Sequence, residues 1–245
     1  MTIHTTQRRR PVAEARLPNG LQAHVFETEF NRLMSDATTV RVRRGQRIAI
    51  GAEETECLYV VSTGVLALEV PMQSRTRQLL ALYHPGDVFR SSLRPGIEGE
   101  ALRALSNGEL RRAPWSVVEA RAAESAEYQK FLVDKLSKST AALARHLASI
   151  GGLSGPERVA AYLVAEARRS GKASGSGVLL ELVPSRVDTA DYLALNADTL
   201  SRIFGHFQDK GLLQRRGRNV YWLPNLQALI RLVPSGMFPS EPCRR

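Results

Sequence analysis

Four small or polar residues share one side of a short segment that is predicted to be helical, and their chemistry suits the edges of DNA bases. They are Ala197, Asp198, Ser201 and Arg202. An aspartate accepts a hydrogen bond from the cytosine amino group, and an arginine donates two to guanine O6 and N7. The pattern favours base contact, and a solvated helix face is the alternative.

The elements around these residues follow the pattern of two short helices joined by a tight turn. Ser185 and Asp188 match a capping box, which predicts that the first helix starts there and ends near Leu193. Asn196 is a good N-cap for the second helix, and Gly211 is a natural stop after it. The second helix has one apolar face, formed by Leu200, Ile203, Phe204 and Phe207. This arrangement is typical of a helix-turn-helix.

A basic turn follows the second helix. Residues 214–222 predict a strand, a glycine turn and a second strand, with Arg215, Arg216 and Arg218 near the tip. Guanidinium groups in such a hairpin suit the phosphates of a nucleic-acid backbone. A wing beside a helix-turn-helix is therefore the prediction, and a solvated basic loop is the alternative.

The overall composition fits an anionic partner. The chain has 245 residues, a net charge of +10 and a pI near 10.2, a balance that favours nucleic acid over a membrane surface. Only two cysteines, Cys57 and Cys243, are present, which excludes a disulfide framework or a zinc site rich in cysteine. No metal site, cofactor or catalytic constellation is expected. Without a long apolar run or a signal peptide, we expect a cytoplasmic protein without a membrane span.

The N-terminal half has the pattern of a β domain. Short apolar runs separated by glycines predict an antiparallel sandwich or barrel. The predicted strands are Thr39–Arg43, Arg47–Ile50, Leu58–Val61, Val65–Val70, Gln78–Tyr83, Ala101–Leu105 and Glu109–Ala113.

A helical stretch with almost no glycine or proline follows, from Trp115 to Ile150. It predicts one long helix, or a short helix followed by a long one. Near-heptad spacing suggests a seam for a parallel dimer; a helix packed on its own β domain is the alternative. The seam residues are Tyr128, Leu132, Leu136, Leu143 and Ile150. Another helix is predicted over 156–169, then a Gly/Ser loop over 170–177 and a strand over 178–183.

Two stretches resemble the Crp/Fnr superfamily of bacterial transcription regulators. The first is VRVRRGQRIAIGAEETECLYVVSTGVLAL with the later LYHPGDVF, and the second is SRVDTADYLALNADTLSRIFGHFQDKGLL. The resemblance implies an α+β fold with an N-terminal double-stranded β-roll of the cyclic-nucleotide-binding type, a long dimerisation helix and a C-terminal winged helix-turn-helix. The expected divisions are a tail with short helices, the β-roll, the dimerisation helix, the DNA-binding domain and a C-terminal tail, over residues 1–35, 36–113, 114–150, 154–225 and 226–245.

The resemblance also implies roles for single residues. Asp198 and Arg202 match the family's base-reading acid and arginine, although the acid is usually a glutamate with a longer reach. Ala197 stands where the cyclic-AMP receptor has an arginine, which is closer to the Fnr and FixK branch and implies a TTG…CAA-type palindrome. Gly205 replaces a lysine of that receptor. The matches to phosphate-contacting positions are Ser185, Thr199, Arg216 and Arg218.

The ligand positions of the family match poorly. Cyclic-nucleotide binders in the superfamily carry a Gly-Glu-Leu element, which is missing here, and an Arg-Ser pair, in whose approximate place lie Gly99 and Glu100. A carboxylate there would repel a phosphate, and Arg94 and Arg103 are the possible substitutes. The resemblance therefore implies a homodimer that binds double-stranded DNA and RNA polymerase, without a cyclic nucleotide. An effector-dependent regulator of the same architecture is the alternative.

Overall fold

The computed structural model describes residues 34–50, 55–72, 77–93 and 95–237. The predicted N-terminal tail therefore lies almost wholly outside the described residues, as do Arg94 and Cys243. The described chain forms an N-terminal β domain, two consecutive helices and a C-terminal domain of helices with a small sheet. This order confirms the predicted α+β class and its architecture.

Two antiparallel four-stranded sheets form the β domain, in the strand orders β1-β8-β3-β6 and β2-β7-β4-β5. The strands are β1 Thr38–Val42, β2 Arg47–Ala49, β3 Cys57–Thr63, β4 Leu66–Val70, β5 Gln78–Tyr83, β6 Val88–Arg90, β7 Ala101–Ala104 and β8 Gly108–Pro114. Apolar side chains from both sheets meet in one core that includes Tyr59, Leu66 and Leu102. The sandwich prediction is confirmed, and β6 is the one strand that was not predicted. With three residues, β6 is too short to show an alternating pattern.

A close approach of two turns holds the β domain together at one end. A Cβ on Gly108 would lie 2.2 Å from the Thr63 carbonyl oxygen, and one on Gly64 would lie 2.7 Å from the Asn107 carbonyl oxygen. Gly64 also has a φ of +81°, which L side chains rarely adopt. Glycine is therefore required at both positions.

The helical stretch after the β domain is divided in two, as one of the alternatives predicted. Helix α1 spans Trp115–Ala123 and α2 spans Ala126–Gly152, with the Ser125 side chain accepting a hydrogen bond from the Glu127 amide. The start of α2 packs on its own β domain. Phe131 and Leu132 are buried there with Leu58 and Val88.

The C-terminal domain contains four helices and a four-stranded sheet in the order β11-β12-β10-β9. Its elements are α3 Gly155–Ser170, β9 Lys172–Ser174, β10 Gly177–Glu181, α4 Arg186–Tyr192, α5 Ala197–Asp209, β11 Gln214–Gly217, β12 Val220–Leu223 and α6 Leu226–Ile230. Two parts differ from expectation. Strand β9 lies in the predicted Gly/Ser loop, and α6 lies in the predicted C-terminal tail. Leu229 of α6 is fully buried in the domain core, so burial orders this segment.

Candidate nucleic-acid interface

The turn between α4 and α5 is compact and capped. Ala194 adopts a left-handed conformation with φ of 52°, and the Leu195 amide donates to the Ala190 carbonyl oxygen at 2.9 Å. The Asn196 side chain then accepts from the Thr199 amide at 2.7 Å, which satisfies one of the free donors at the start of α5. These bonds fix the direction in which α5 leaves the turn.

Helix α5 has a buried face and an exposed face. The buried face consists of Leu200, Ile203, Phe204 and Phe207. On the other side, Asp198, Ser201 and Arg202 are exposed and Ala197 is half-buried. The structure therefore brings the four predicted base-reading residues together at the N-terminal end of one exposed helix surface. Thr199 is half-buried beside them, and its hydroxyl lies 3.4 Å from an Arg202 guanidinium nitrogen.

Strands β11 and β12 form the predicted wing, and Asn219 turns the chain with φ of 60°. The three wing arginines, Arg215, Arg216 and Arg218, are all exposed. The Arg216 guanidinium lies over the Trp222 ring at 5.2 Å, and a cation held over an indole face keeps its charge while losing some freedom. The wing therefore presents a cluster of three positive charges beside α5.

Ser185 occupies the N-cap of α4, as predicted, and its hydroxyl is engaged there. The Ser185 hydroxyl donates to an Asp188 carboxylate oxygen at 2.6 Å and accepts from the Asp188 amide at 3.1 Å. Burial raises the pKa of Asp188, but the bonds from Ser185 and the charge of Arg77 outweigh it, so that the pKa lies below its usual range. The Ser185 hydroxyl could donate a hydrogen bond to a phosphate only if its hydrogen bond to Asp188 were broken.

Arg186 is a residue of this region that the sequence patterns missed. Its guanidinium lies over the Phe204 ring of α5 at 4.1 Å and donates to the Tyr221 hydroxyl of the wing at 3.0 Å. The Phe204 and Tyr221 rings meet edge to face at 5.3 Å. One side chain thus joins α4, α5 and the wing. In the sequence, Arg186 is an ordinary charged residue after an N-cap. Its role is visible only from the position of its guanidinium over the Phe204 ring.

Known proteins with this arrangement are transcription regulators. A family model described as a Crp-like helix-turn-helix domain matches residues 157–232. The nitrogen fixation regulation protein FixK of Azorhizobium caulinodans is 33% identical over 183 residues, which cover 72% of this chain and 71% of that protein. The chain belongs to the Crp/Fnr family. It is a transcription regulator with a helix-turn-helix DNA-binding domain, close to FixK.

Solved structures with a similar fold match most of the chain. FixK2 from Bradyrhizobium japonicum has a TM-score of 0.69 and 28% identity, and the match covers 82% of this chain and 98% of that one. A CooA mutant from Carboxydothermus hydrogenoformans has a TM-score of 0.71 at 18% identity, with 82% and 89% covered. The CooA match supports the fold alone.

The β domain of this Crp/Fnr protein buries the carboxylate of Glu100, one of the two residues that the sequence resemblance put in the approximate place of the Arg-Ser pair. Glu100 is 7% exposed, and its carboxylate accepts from the Ile97 amide at 3.3 Å. Arg103, the possible substitute for the missing arginine, contacts Glu69 at 3.3 Å. The Arg103 side chain is therefore held by a carboxylate of its own domain.

The described residues were also compared with the requirements of a reactive thiol, a metal site and a membrane span. Cys57 is buried, with its sulfur 3.6 Å from the Thr55 carbonyl oxygen. Among the described residues, no three His, Cys, Asp or Glu side chains cluster closely enough to hold a metal ion. Within the same ranges, no helix is long and apolar enough to span a membrane.

Proposed function

We propose that this Crp/Fnr protein is a homodimer that reads a palindromic TTG…CAA-type DNA site without a cyclic nucleotide. The observation that carries the proposal is the exposed start of α5 beside the basic wing. An aspartate and an arginine stand one helical turn apart there, at Asp198 and Arg202, with small neighbours that permit close approach to a groove. A DNA-reading regulator also implies RNA polymerase as a partner and the cytoplasm as its location.

Base reading is assigned to the four residues on the exposed start of α5. Arg202 would bind a guanine through O6 and N7, and Asp198 would accept from a cytosine amino group. Ala197 and Ser201 would lie against the neighbouring base pairs, where a side chain with a long reach would prevent close approach. The weak contact of Arg202 with Thr199, at 3.4 Å, leaves the guanidinium free to turn toward a base.

Phosphate contacts are assigned to the residues that flank this surface. Arg215, Arg216 and Arg218 supply positive charge from the wing, and Thr199 supplies a hydroxyl in the first turn of α5. Ser185 would contact a phosphate through its amide and hydroxyl at the start of α4, although both groups donate to Asp188 in the free protein. Because each neutralised phosphate releases counterions, affinity should fall steeply with salt.

The proposed dimer seam uses α2, with residues that differ in part from the sequence prediction. Leu132 is 7% exposed within the protomer's own core, and the partly buried Tyr128 and Leu136 pack against that core. Leu136 keeps the heptad spacing with the exposed positions of α2 and stays in the seam, whereas Tyr128 and Leu132 do not. Val133, Thr140 and Leu147 take their place, because together with Leu136, Leu143 and Ile150 they follow the alternating three- and four-residue spacing of a heptad seam. Val133 and Leu147 are 62% and 58% exposed in the protomer, and pairing with a second copy would cover them.

A second candidate keeps the same architecture but adds an effector. A cavity of about 270 Å³ lies between the β domain and α2. Its walls include the basic residues Arg90, Lys135 and Lys138 and the apolar residues Leu80 and Leu143. This charge favours a small anionic effector, whereas the buried Glu100 argues against a cyclic phosphate at the position used by cyclic-nucleotide binders.

The test is a binding measurement with purified full-length protein. Fluorescence anisotropy would compare a TTG…CAA palindrome, with half-sites about one helical turn apart, against a scrambled duplex at the same salt concentration. Selective binding without added nucleotide is the expected result. Selective binding only after addition of cyclic AMP would favour the second candidate. Equal affinity for both duplexes would contradict the operator assignment, and no binding at low salt would contradict DNA binding itself.

A further inference from the structure

The β domain and the first helix of the helix-turn-helix are joined by one arginine. Arg77, just before β5, donates to the Asp191 carboxylate at 2.7 Å and to the Asp188 carboxylate at 2.6 Å, both on α4. Its third nitrogen donates to Glu69 of β4 at 3.3 Å. The guanidinium therefore binds three carboxylates from two domains, and its side chain is only 15% exposed.

The charges at this junction balance only when α4 is docked. Glu69 is also bound by Arg47 at 2.9 Å and by Arg103 at 3.3 Å. Within this cluster the β domain contributes three arginines and one carboxylate. Asp188 and Asp191 supply the two missing negative charges. Removal of one partner from a buried ionic cluster is costly because the others are left uncompensated, so the cluster favours the docked position of α4.

Neighbouring contacts also hold α4 in its docked position. The Gln78 side chain of β5 donates to the Asp191 carbonyl oxygen. The Tyr192 ring at the end of α4 stacks on the His146 ring of α2, with centroids 3.8 Å apart and an interplanar angle of 2°. Helix α4 is thus held by the β domain on one side and by α2 on the other. Its start is linked to the same cluster, since Asp188 also holds Ser185.

We propose that Arg77 is a positioning residue for DNA binding, which docks α4 on the β domain and thereby sets the direction of α5 relative to the dimer axis. This inference rests on the proposed function. Helices α4 and α5 share one core and a tight turn, so a fixed α4 fixes α5. A full palindrome requires both α5 helices of a dimer at one spacing, whereas a single half-site requires only one. Arg77 therefore acts on full-site binding and leaves half-site binding almost untouched.

The test compares Arg77→Met with Arg41→Met on two duplexes, a full palindrome and a single half-site. Arg41 is the control, because its ion pair with Glu109, at 2.9 Å, lies within the β domain and outside the cluster around Glu69. Arg77→Met should weaken full-site binding by about tenfold and half-site binding by less than about twofold, given the strength of charge-assisted hydrogen bonds. Arg41→Met should change both affinities by less than about twofold. Arg77→Met should also lose less affinity than the wild type when one base pair is inserted between the half-sites.

Two results would overturn the role of Arg77. An equal loss on both duplexes would mean that the variant damages the winged domain, and unchanged full-site binding would mean that the docking does not matter. If Arg77→Met does not fold, Asp191→Asn is measured on the same two duplexes. It should lose affinity for the full palindrome more than for the half-site, by a smaller factor than Arg77→Met. A wild-type protein that binds no duplex would instead reject the proposed function, and Arg77 as a DNA-positioning residue with it.

Discussion

Leu132 and Val133 are neighbours on α2, yet their side chains lie in opposite environments. Leu132 is 7% exposed within the core formed with the β domain, whereas Val133 is 62% exposed. Helix α2 therefore has two apolar faces, one buried against the β domain and one exposed in the protomer. The proposed seam starts at Val133, and the protomer leaves both Val133 and Leu147 uncovered.

Alanine at Leu147 should weaken self-association and leave the protomer intact. Leu147 is 58% exposed in the protomer, so the loss of its apolar area, worth about 1–3 kcal/mol when buried by a partner, should affect the dimer alone. Leu132→Ala is the matched control and should lower the free energy of unfolding by about 2–5 kcal/mol. Sedimentation equilibrium and chemical unfolding at fixed concentration would separate the two. Loss of the dimer in Leu132→Ala alone would contradict the seam.

Arg202→Ala should remove discrimination at one guanine of each half-site, at a cost of about 1–3 kcal/mol, because a bidentate contact with O6 and N7 is lost. Arg216→Ala should weaken every duplex alike and reduce the salt dependence by about one counterion. Anisotropy titrations on operators with single base changes, at several salt concentrations, would measure both effects. A uniform loss in both variants would show that Arg202 contacts only the backbone.

A substitution at Gly205 of α5 should increase both stability and DNA affinity. A Cβ built there meets nothing within 4 Å, and glycine inside a helix costs about 1 kcal/mol relative to alanine. Gly205→Lys should therefore raise stability and, through one added phosphate contact, tighten binding to all duplexes and steepen the salt dependence by about one counterion. Gly205→Ala is the control that carries the stability gain alone. Equal affinity and salt dependence in the two variants would place position 205 away from the phosphates.

His146 should make stability fall in mild acid. Burial lowers the pKa of His146 from an ordinary value of 6.5 to about 4, so the unfolded chain takes up a proton that the folded one resists. This effect is absent above about pH 6.5, grows as the pH falls to about 4, and amounts to about 3 kcal/mol there. His146→Phe keeps a ring against Tyr192 and removes the titration. Unfolding curves from pH 7.5 to 4 should therefore be flatter in the variant, and parallel curves would refute the assignment.

Local patterns were enough to predict the helix-turn-helix. The capping pairs at Ser185 and Asn196 and the apolar spacing of α5 lie within a few residues of one another, so they determine helix ends and the buried face without distant contacts. The exposed positions of Asp198 and Arg202 follow from that spacing. Three segments without such a pattern were missed. Strand β6 pairs with the distant β3, and α6 is held by burial of Leu229 in the domain core. Strand β9 pairs with the adjacent β10, but three exposed residues are too few to show a pattern.

The seam on α2 shows why a pattern can be ambiguous. Leu132 and Leu136 match a dimer stripe and a core stripe equally well in the sequence, since apolar spacing does not say which surface will cover a residue. Contact with Leu58 and Val88 of the β domain decides that Leu132 belongs to the protomer core.

The sequence by itself determined the class of fold, the two helices of the reading motif and the residues on their exposed face, because helix caps and apolar periodicity are local properties. The tertiary structure alone decided which carboxylates Arg77 binds and how Arg186 joins α5 to the wing. Arg77 is separated from Asp188 and Asp191 by more than a hundred residues. Ion pairs at such a separation leave no spacing in the sequence, and only the packing of one domain on another brings their charges together.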